Sequence, residues 1–531
     1  MAKESRAPKK ADKPAKADKS AKIEKPVKAE KPKTDKPIKA DRAVANKGAG
    51  KLDAVSQNIV DAFAQISAIP RNSGDEERVR HFLVDWARKN KFLYITDKVG
   101  NLVIKIAASK GMEKHPAVVL QGHLDMVCEK TPDSPHDFSK DPIKFVYDGD
   151  WLKADRTTLG ADNGIAVAMA MCLATDSNVK HGPLELLFTI EEETGLTGAR
   201  GLETGLIDAK YLINIDSERD DVFTVGCAGG RDTHIELDLG YEEVPYDYRG
   251  MHIKVSGLTG GHSGENIIDE RANAIRVLNR ILHSIRDLCD LRLTWFKGGT
   301  AHNAIPRDAE ATFFVPIDQL PAIKEHVARA ETYLQSEFAR TDPALEVYLA
   351  EMAVTPDRRA MMSYVTMKVL DLIYALPHGV SARSTDMPHL VETSSNLAKV
   401  WVDCGRLCIH SSQRSSVMTR LDAITHRIEA IGRLAGARVQ SGSGYPSWRP
   451  DFNSKLLASC KKIYKSLFAS EPRVEAIHAG LECGLIGNLH PGMQMLSLGP
   501  TIKNPHSPDE RLFLPSLAKV YRLLAAILSE L

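Results

Sequence analysis

The chain lacks clustered cysteines. Its eight are scattered from Cys128 to Cys483, and no two stand in a CxxC pair. That spread argues against a disulfide framework and fits free thiols in a reducing compartment. Long apolar runs are also lacking. The longest, near Ile165–Ala174, is about half of the ~20 residues a membrane helix needs, so no membrane association is expected. No apolar stretch with a cleavage site stands near the N-terminus, so a secretory signal is not expected and a cytoplasmic location is. Net charge is nearly absent, at +1 over 531 residues. That balance hides an asymmetry. Residues 1–50 hold 16 basic and 7 acidic side chains, a net of +9, which leaves the remainder at −8.

What is present is ordinary for a globular protein: 43% apolar and 26% charged residues. The length corresponds to about three domain-equivalents. Residues 1–50 are Lys, Ala, Pro and Asp with almost no larger aliphatic residue. Such a segment cannot bury enough apolar area to offset its ordering entropy, so it reads as a disordered tail. It is either a solvated arm or a binder of polyanions such as nucleic acid. From Leu52 onward apolar strands alternate with helices. Ser73 and Glu76 form a candidate capping box ahead of Val79, Phe82, Leu83 and Trp86. Strand-like runs at Ala117–Leu120, Leu184–Ile190 and Tyr211–Ile215, with a helix at Asn163–Leu173, predict an α/β domain. Its central sheet is expected to be mostly parallel and flanked by helices. The character changes after Gly229 and returns at the Ser/Gly/Pro-rich Ser441–Pro446. Residues 51–229 and 441–531 are therefore read as one domain and 230–440 as an inserted α+β domain, with strands at Ala309–Val315 and Ala398–Ile409.

Four segments share one pattern: an apolar strand ends and acidic or His residues follow. Val118–Leu120 runs into Gln-Gly-His123-Leu-Asp125. Leu184–Ile190 runs into Glu191-Glu192-Glu193. Tyr211–Ile215 runs into Asp216, and Met493–Leu498 is followed by a turn and His506. In open α/β sheets, sites form beyond the carboxyl ends of strands. A fifth segment, Leu159-Gly-Ala-Asp162-Asn163-Gly164, sets a carboxylate in a Gly-rich loop before a helix. A lone HxD or acidic triplet is a common solvated turn; five such segments in one chain are not. Two His and several carboxylates without Cys suit Zn²⁺ or Mn²⁺ in a hydrolytic site. His123, Asp162, Asp216, Glu193 and His506 supply five ligands if Asp162 bridges two ions. Glu192 is left as a free carboxylate, as a general base requires. Asp125 can accept the other ring N–H of His123 and fix its tautomer.

The ordered set QGHLDMV, LGADNGIA, TIEEETGLTGA, INIDSE, GGHSGENI, HNAIP, IHAGLECG and GPTIKNPHSPDE resembles the aminoacyl-histidine dipeptidases. These are also called peptidase D or Xaa-His dipeptidase. They belong to the dizinc metallopeptidase superfamily that includes carboxypeptidase G and tripeptidase T. The resemblance spans about residues 52–531. It implies one zinc on His123, Asp162 and Asp216 and a second on Asp162, Glu193 and His506, with Mn²⁺ or Co²⁺ as substitutes. It also implies Glu192 as general base, Asp125 as the partner of His123, and a cis peptide after Asp162. His262 matches a His that reaches the scissile carbonyl oxygen, and Asn303 an Asn that helps bind the substrate's terminal region. Charge logic adds Glu482 for the substrate amine and Arg414 for its carboxylate, with His478 read as structural. The expected substrates are short unblocked peptides, Xaa-His and β-alanyl-histidine among them, and the inserted domain is expected to serve as a lid or to form a homodimer. Two other functions fit less of the sequence. One is an amidohydrolase of the same superfamily acting on N-acyl amino acids; the other is a polyanion-binding protein acting through the basic tail.

Overall fold

The computed structural model describes residues 52–353, 358–385, 387 and 389–531. The expected disordered tail lies outside the described residues. Two large sheets organise the rest. The first has eight strands in the spatial order Leu93–Thr96, Leu102–Ile106, Leu184–Thr189, Val118–His123, Tyr211–Asn214, Gln494–Ser497, Val222–Cys227 and Arg473–Ile477. The four strands from Leu184–Thr189 to Gln494–Ser497 are mutually parallel. Leu93–Thr96 and Leu102–Ile106 add on antiparallel, and Val222–Cys227 runs antiparallel to Gln494–Ser497. The sheet is thus mixed, with its parallel part at the centre.

Every residue of Val118–His123 and Leu184–Thr189 is buried, because helices cover both faces of the sheet; hence their near-continuous apolar sequence. The helix Ala161–Thr175 packs against this sheet and is buried almost throughout. Its Ala, Met, Ile and Val side chains leave no polar face, as a helix enclosed on all sides requires. Helices Ala54–Ser67, Lys455–Phe468 and Pro515–Glu530 complete that core. Each fully buried Leu or Ile contributes roughly 1.5–3 kcal/mol to it.

The second sheet is antiparallel throughout, and its strands lie between Gly229 and Ser441. Ala309–Pro316 alternates buried and half-buried residues: one face packs on helices such as Ala274–Arg286 and the other does not. The expected strand at Ala398–Ile409 is instead a hairpin, Val391–Asp403 paired with Arg406–Ser415 around a tight turn at Cys404-Gly405. Where the chain crosses between the sheets, outgoing and returning segments bind each other. Cys227 and Trp448 exchange backbone hydrogen bonds of 2.9 and 3.1 Å, and Gly230 and Tyr445 do the same.

The capping box does not form. The helix begins at Glu77 without a side-chain cap. The Ser73 hydroxyl donates to Asp125 Oδ2 at 2.7 Å instead, and Glu76 accepts from the backbone N–H of Gly74 and Glu191. Both residues support the loops described next.

Candidate metal centre

Because four central strands are parallel, their carboxyl ends share one edge of the sheet. His123 ends one strand, Glu192 and Glu193 follow a second, Asp216 follows a third and His506 stands on the loop after the fourth. Asp162 reaches the same point from the start of its helix. His123 Nε2 lies 3.1 Å from Asp162 Oδ1 and 3.6 Å from Asp216 Oδ1. His506 Nε2 lies 3.1 Å from Asp162 Oδ2 and 3.1 Å from Glu193 Oε1. The two oxygens of one carboxylate therefore face two different imidazoles.

The donor atoms form compact groups of His123, Asp162 and Asp216, of Asp162, Glu193 and His506, and of His123, Glu192 and Glu193, each within 4.8 Å. Among the described residues no Lys or Arg pairs with Asp162, Asp216, Glu192 or Glu193. Four carboxylates and two imidazoles without a Lys or Arg partner are a donor set that fits two divalent ions of the zinc or manganese kind.

The electrostatics follow from that crowding. Burial drives the Glu192 carboxyl well above the usual carboxylate range, and the charges of Glu193, Asp216 and Glu482 add to it. Burial likewise raises Asp216, to about 6. Burial opposes a charge on His506, but hydrogen bonding to Asp162 and Glu193 outweighs it and lifts the imidazole to about 11. Asp125 is different. Burial works against its ionisation, yet hydrogen bonds from His123 and Ser73 and from the backbone of Glu192 hold it down at about 2. Its oxygens meet His123 Nδ1 at 3.2 Å and accept the N–H groups of Glu192 and Glu193 at 3.0 and 3.2 Å. One buried carboxylate thus turns His123 Nε2 toward the centre and fixes the acidic loop.

The loops carry backbone strain. Glu191 and His506 have φ of 47° and 58°, a left-handed conformation costing roughly 1–2 kcal/mol in a residue with a β-carbon. The Asp162–Asn163 peptide is cis, as the resemblance implied. Gly122 is required by contact: a β-carbon there would sit 2.3 Å from Asn163 Oδ1.

Several supporting residues were given no role from the sequence, although Asn163 and Glu510 lie inside the ordered motifs. Asn163 accepts from the His123 backbone N–H and donates to Ile215 O and to Asp216 Oδ1, tying the strand ends of two candidate donors together. Arg71, fully buried, donates to the carbonyls of Leu124, Asp125 and Gly160. Glu510, 1% exposed, accepts the backbone N–H groups of Leu159, Gly160, Ala161 and Asp162 at 2.7, 2.9, 2.8 and 3.3 Å. It stands four residues after His506, so one loop carries a candidate donor and clamps the loop carrying another. In Glu510→Gln an amide NH₂ would face N–H donors. We expect a loss of about 10–100-fold in divalent-ion affinity, the usual effect of removing an outer-shell partner, read by competition with a chelator. Unchanged affinity would mean that Glu510 does not set the position of Asp162.

A cavity of about 830 Å³ opens over the centre. His262, Asn303, Arg414 and His478, all distant in sequence, line it with the metal-type donors. His262 sits in a two-residue strand, Gly261–His262, paired with Ala304–Ile305 beside Asn303. Its Nδ1 accepts the Glu265 backbone N–H at 3.3 Å, which leaves the proton on Nε2. Burial and the Arg414 charge push His262 down to about 4, so the ring is neutral. Arg414 is 8% exposed and donates to Tyr445 Oη at 3.0 Å. It has no carboxylate partner among the described residues. His478 bonds Ser394 Oγ at 2.7 Å.

Glu482 corrects the expectation placed on it. It is 0% exposed and does not line the cavity. Its carboxylate accepts from Gln121 Nε2 at 2.5 Å and Thr189 Oγ1 at 2.7 Å, beneath the strand ends. Burial lifts it to about 7. A carboxylate enclosed this way cannot meet a substrate amine.

Residues 119–530 match Peptidase family M20/M25/M40. The chain is 41% identical over 475 residues to the cytosol non-specific dipeptidase of Escherichia coli K12, spanning 90% of this chain and 98% of that one. Its fold superposes on the aminoacylhistidine dipeptidase of Vibrio alginolyticus with a TM-score of 0.79 at 35% identity, covering 90% and 97% of the two chains. It superposes on the aminopeptidase PepT of Bacillus cereus at 0.52 and 15% identity, covering 91% and 99%, a likeness of fold alone. Among the described residues no helix is long and apolar enough to cross a membrane.

Proposed function

The chain belongs to peptidase family M20/M25/M40, and from that premise we propose that this metallopeptidase is a cytoplasmic dipeptidase acting on short peptides with free termini. One observation carries the reading. A single carboxylate, Asp162, joins two His-carboxylate groups beside the uncommitted Glu192, in a cavity also lined by Arg414, which has no carboxylate partner among the described residues. His123, Asp162 and Asp216 would hold one ion and Asp162, Glu193 and His506 the other; we read both as Zn²⁺, with Mn²⁺ or Co²⁺ able to replace it. Such ions acidify water and polarise a carbonyl.

The protein's own groups do the rest. Glu192 takes a proton from the attacking water as the new C–O bond forms, then passes it to the leaving nitrogen as the C–N bond breaks. A carboxyl that burial makes reluctant to ionise accepts that proton readily. His262, neutral with Nε2–H free, donates to the developing oxyanion. Asp125 keeps His123 in one tautomer. Arg414 binds the substrate's terminal carboxylate through its guanidinium fork, and Asn303, which lines the same cavity, helps orient that terminus. In this reading residues 230–440 act as a lid, since His262, Asn303 and Arg414 all come from it. The names of both dipeptidase relatives support two-residue substrates, and that of the Vibrio protein supports Xaa-His, with β-alanyl-histidine included.

The test is histidine release from metal-free protein given β-alanyl-histidine, Leu-His or N-acetyl-histidine, with Zn²⁺, Mn²⁺ or Co²⁺ added in turn. Metal-dependent release from the two free-amine substrates alone is expected. Release mainly from N-acetyl-histidine would move the activity to acyl-amino-acid hydrolysis.

A further inference from the structure

With Glu482 enclosed, the substrate's amine still needs a partner. The cavity is polarised. Arg414 lies on the flank with His262, His302 and His478, the imidazoles its charge acts on. The cavity is also lined by Glu218, next to the acidic side of the site: Asp162, Glu265 and Asp216 are among the charges that act on it, and Arg414 is not. Glu218 is half-buried, and its backbone is pinned where Ile502 N donates to its carbonyl at 3.1 Å. Its carboxylate has no hydrogen bond or ion pair among the described residues. Nearby cations are spent elsewhere: Arg219 pairs with Glu475, and Lys503 lies over the Trp151 ring at 5.6 Å. Glu265 also lines the cavity but is exposed, where water screens its charge.

We propose that Glu218 is the anchor for the substrate's free amino group, and so the residue that makes the site select unblocked peptides. This rests on the dipeptidase reading. A dipeptide whose scissile carbonyl lies at the metal centre carries its carboxylate on one side and its amine on the other. Once Arg414 takes the carboxylate, the ammonium falls on the Glu218 flank. There it meets a partly desolvated carboxylate with which no Lys or Arg pairs among the described residues, a setting that favours a charge-assisted hydrogen bond.

The test measures binding in the metal-loaded Glu192→Gln protein, which holds substrate without turning it over. Calorimetry compares Leu-His with its des-amino analogue, 4-methylpentanoyl-histidine. Leu-His should bind at least about tenfold more tightly, as one charged hydrogen bond allows. Adding Glu218→Gln, nearly isosteric but uncharged, should bring that ratio close to one, and Glu218→Asp should restore part of it. The ratio is taken within each protein sample, so any lost ion weakens both ligands alike, and metal content is measured beside it. A ratio that survives Glu218→Gln overturns the anchor. Failure of the wild-type protein to cleave Leu-His overturns the dipeptidase reading instead, and the two results are read from separate experiments.

Discussion

Glu192→Gln is expected to bind two divalent ions as the wild type does and to lose turnover by about 10³–10⁴-fold, which is roughly 4–5.5 kcal/mol of transition-state stabilisation. Both donor groups that contain Asp162 are complete without Glu192; it enters only a third group, with His123 and Glu193. Its backbone N–H is held by Asp125 Oδ1, so the loop geometry does not depend on its side chain. The amide of Gln keeps the shape and cannot accept the proton. Metal content by mass spectrometry and single-turnover hydrolysis of Leu-His check the two halves of the claim. Wild-type turnover by a variant that carries both ions would remove Glu192 from the mechanism. Loss of the ions with the activity would make it a ligand rather than a base.

How much of this was legible in the sequence depends on what each residue does. Groups that face the cavity stand at strand ends, so His123, Glu192, Glu193, Asp216 and His506 leave a pattern of apolar run followed by acid or His, and Asp162 shows instead as a carboxylate in a Gly-rich loop before a helix. Of the groups that hold those residues, Asp125 was legible because it stands two residues from His123; the others were not. Arg71 and Glu510 bind mainly backbone carbonyls and N–H groups, and any sequence offers those partners. Glu482 shows the limit of charge logic. A carboxylate inside a motif looks available until the fold buries it between Gln121 and Thr189. Ser73 shows the converse, since its capping pattern was genuine as composition but its hydroxyl is spent on Asp125.

The fold followed the same logic. Central strands buried on both faces must be apolar, and they were readable as runs. The hairpin Val391–Asp403 with Arg406–Ser415 was not, because its buried half reads Thr-Ser-Ser-Asn, a loop-like composition. Thr393 pairs with Ser415 and Ser395 with Ser411 across the ladder, and Asn396 donates to the Ala304 carbonyl outside it. Buried polar groups with partners are tolerated in a sheet, so composition alone misleads there. Arg414 is on this hairpin, beside Ser415.

The larger effect should come from Asp162→Ala. Its two oxygens face His123 and His506 at 3.1 Å each, so one side chain belongs to both donor groups. Removing it leaves each with two donors, below the three protein ligands that a catalytic ion site needs. Both ions should be lost at micromolar metal, and activity should fall by more than about 10⁴-fold, since the Lewis-acid chemistry goes with them. His506→Ala is the control. It takes a donor from one group only and leaves His123, Asp162 and Asp216 intact, so one ion should stay. Metal-to-protein ratios after gel filtration separate the cases: none for Asp162→Ala and one for His506→Ala. Equal ratios in the two variants would mean that Asp162 serves a single ion and that the second is held without it. The clamp on the Asp162 loop by Glu510 predicts that the backbone at residue 162 stays where it is in Asp162→Ala, because all four of those N–H donors are main-chain groups. The lost ions are then attributable to the missing carboxylate and not to a collapsed loop.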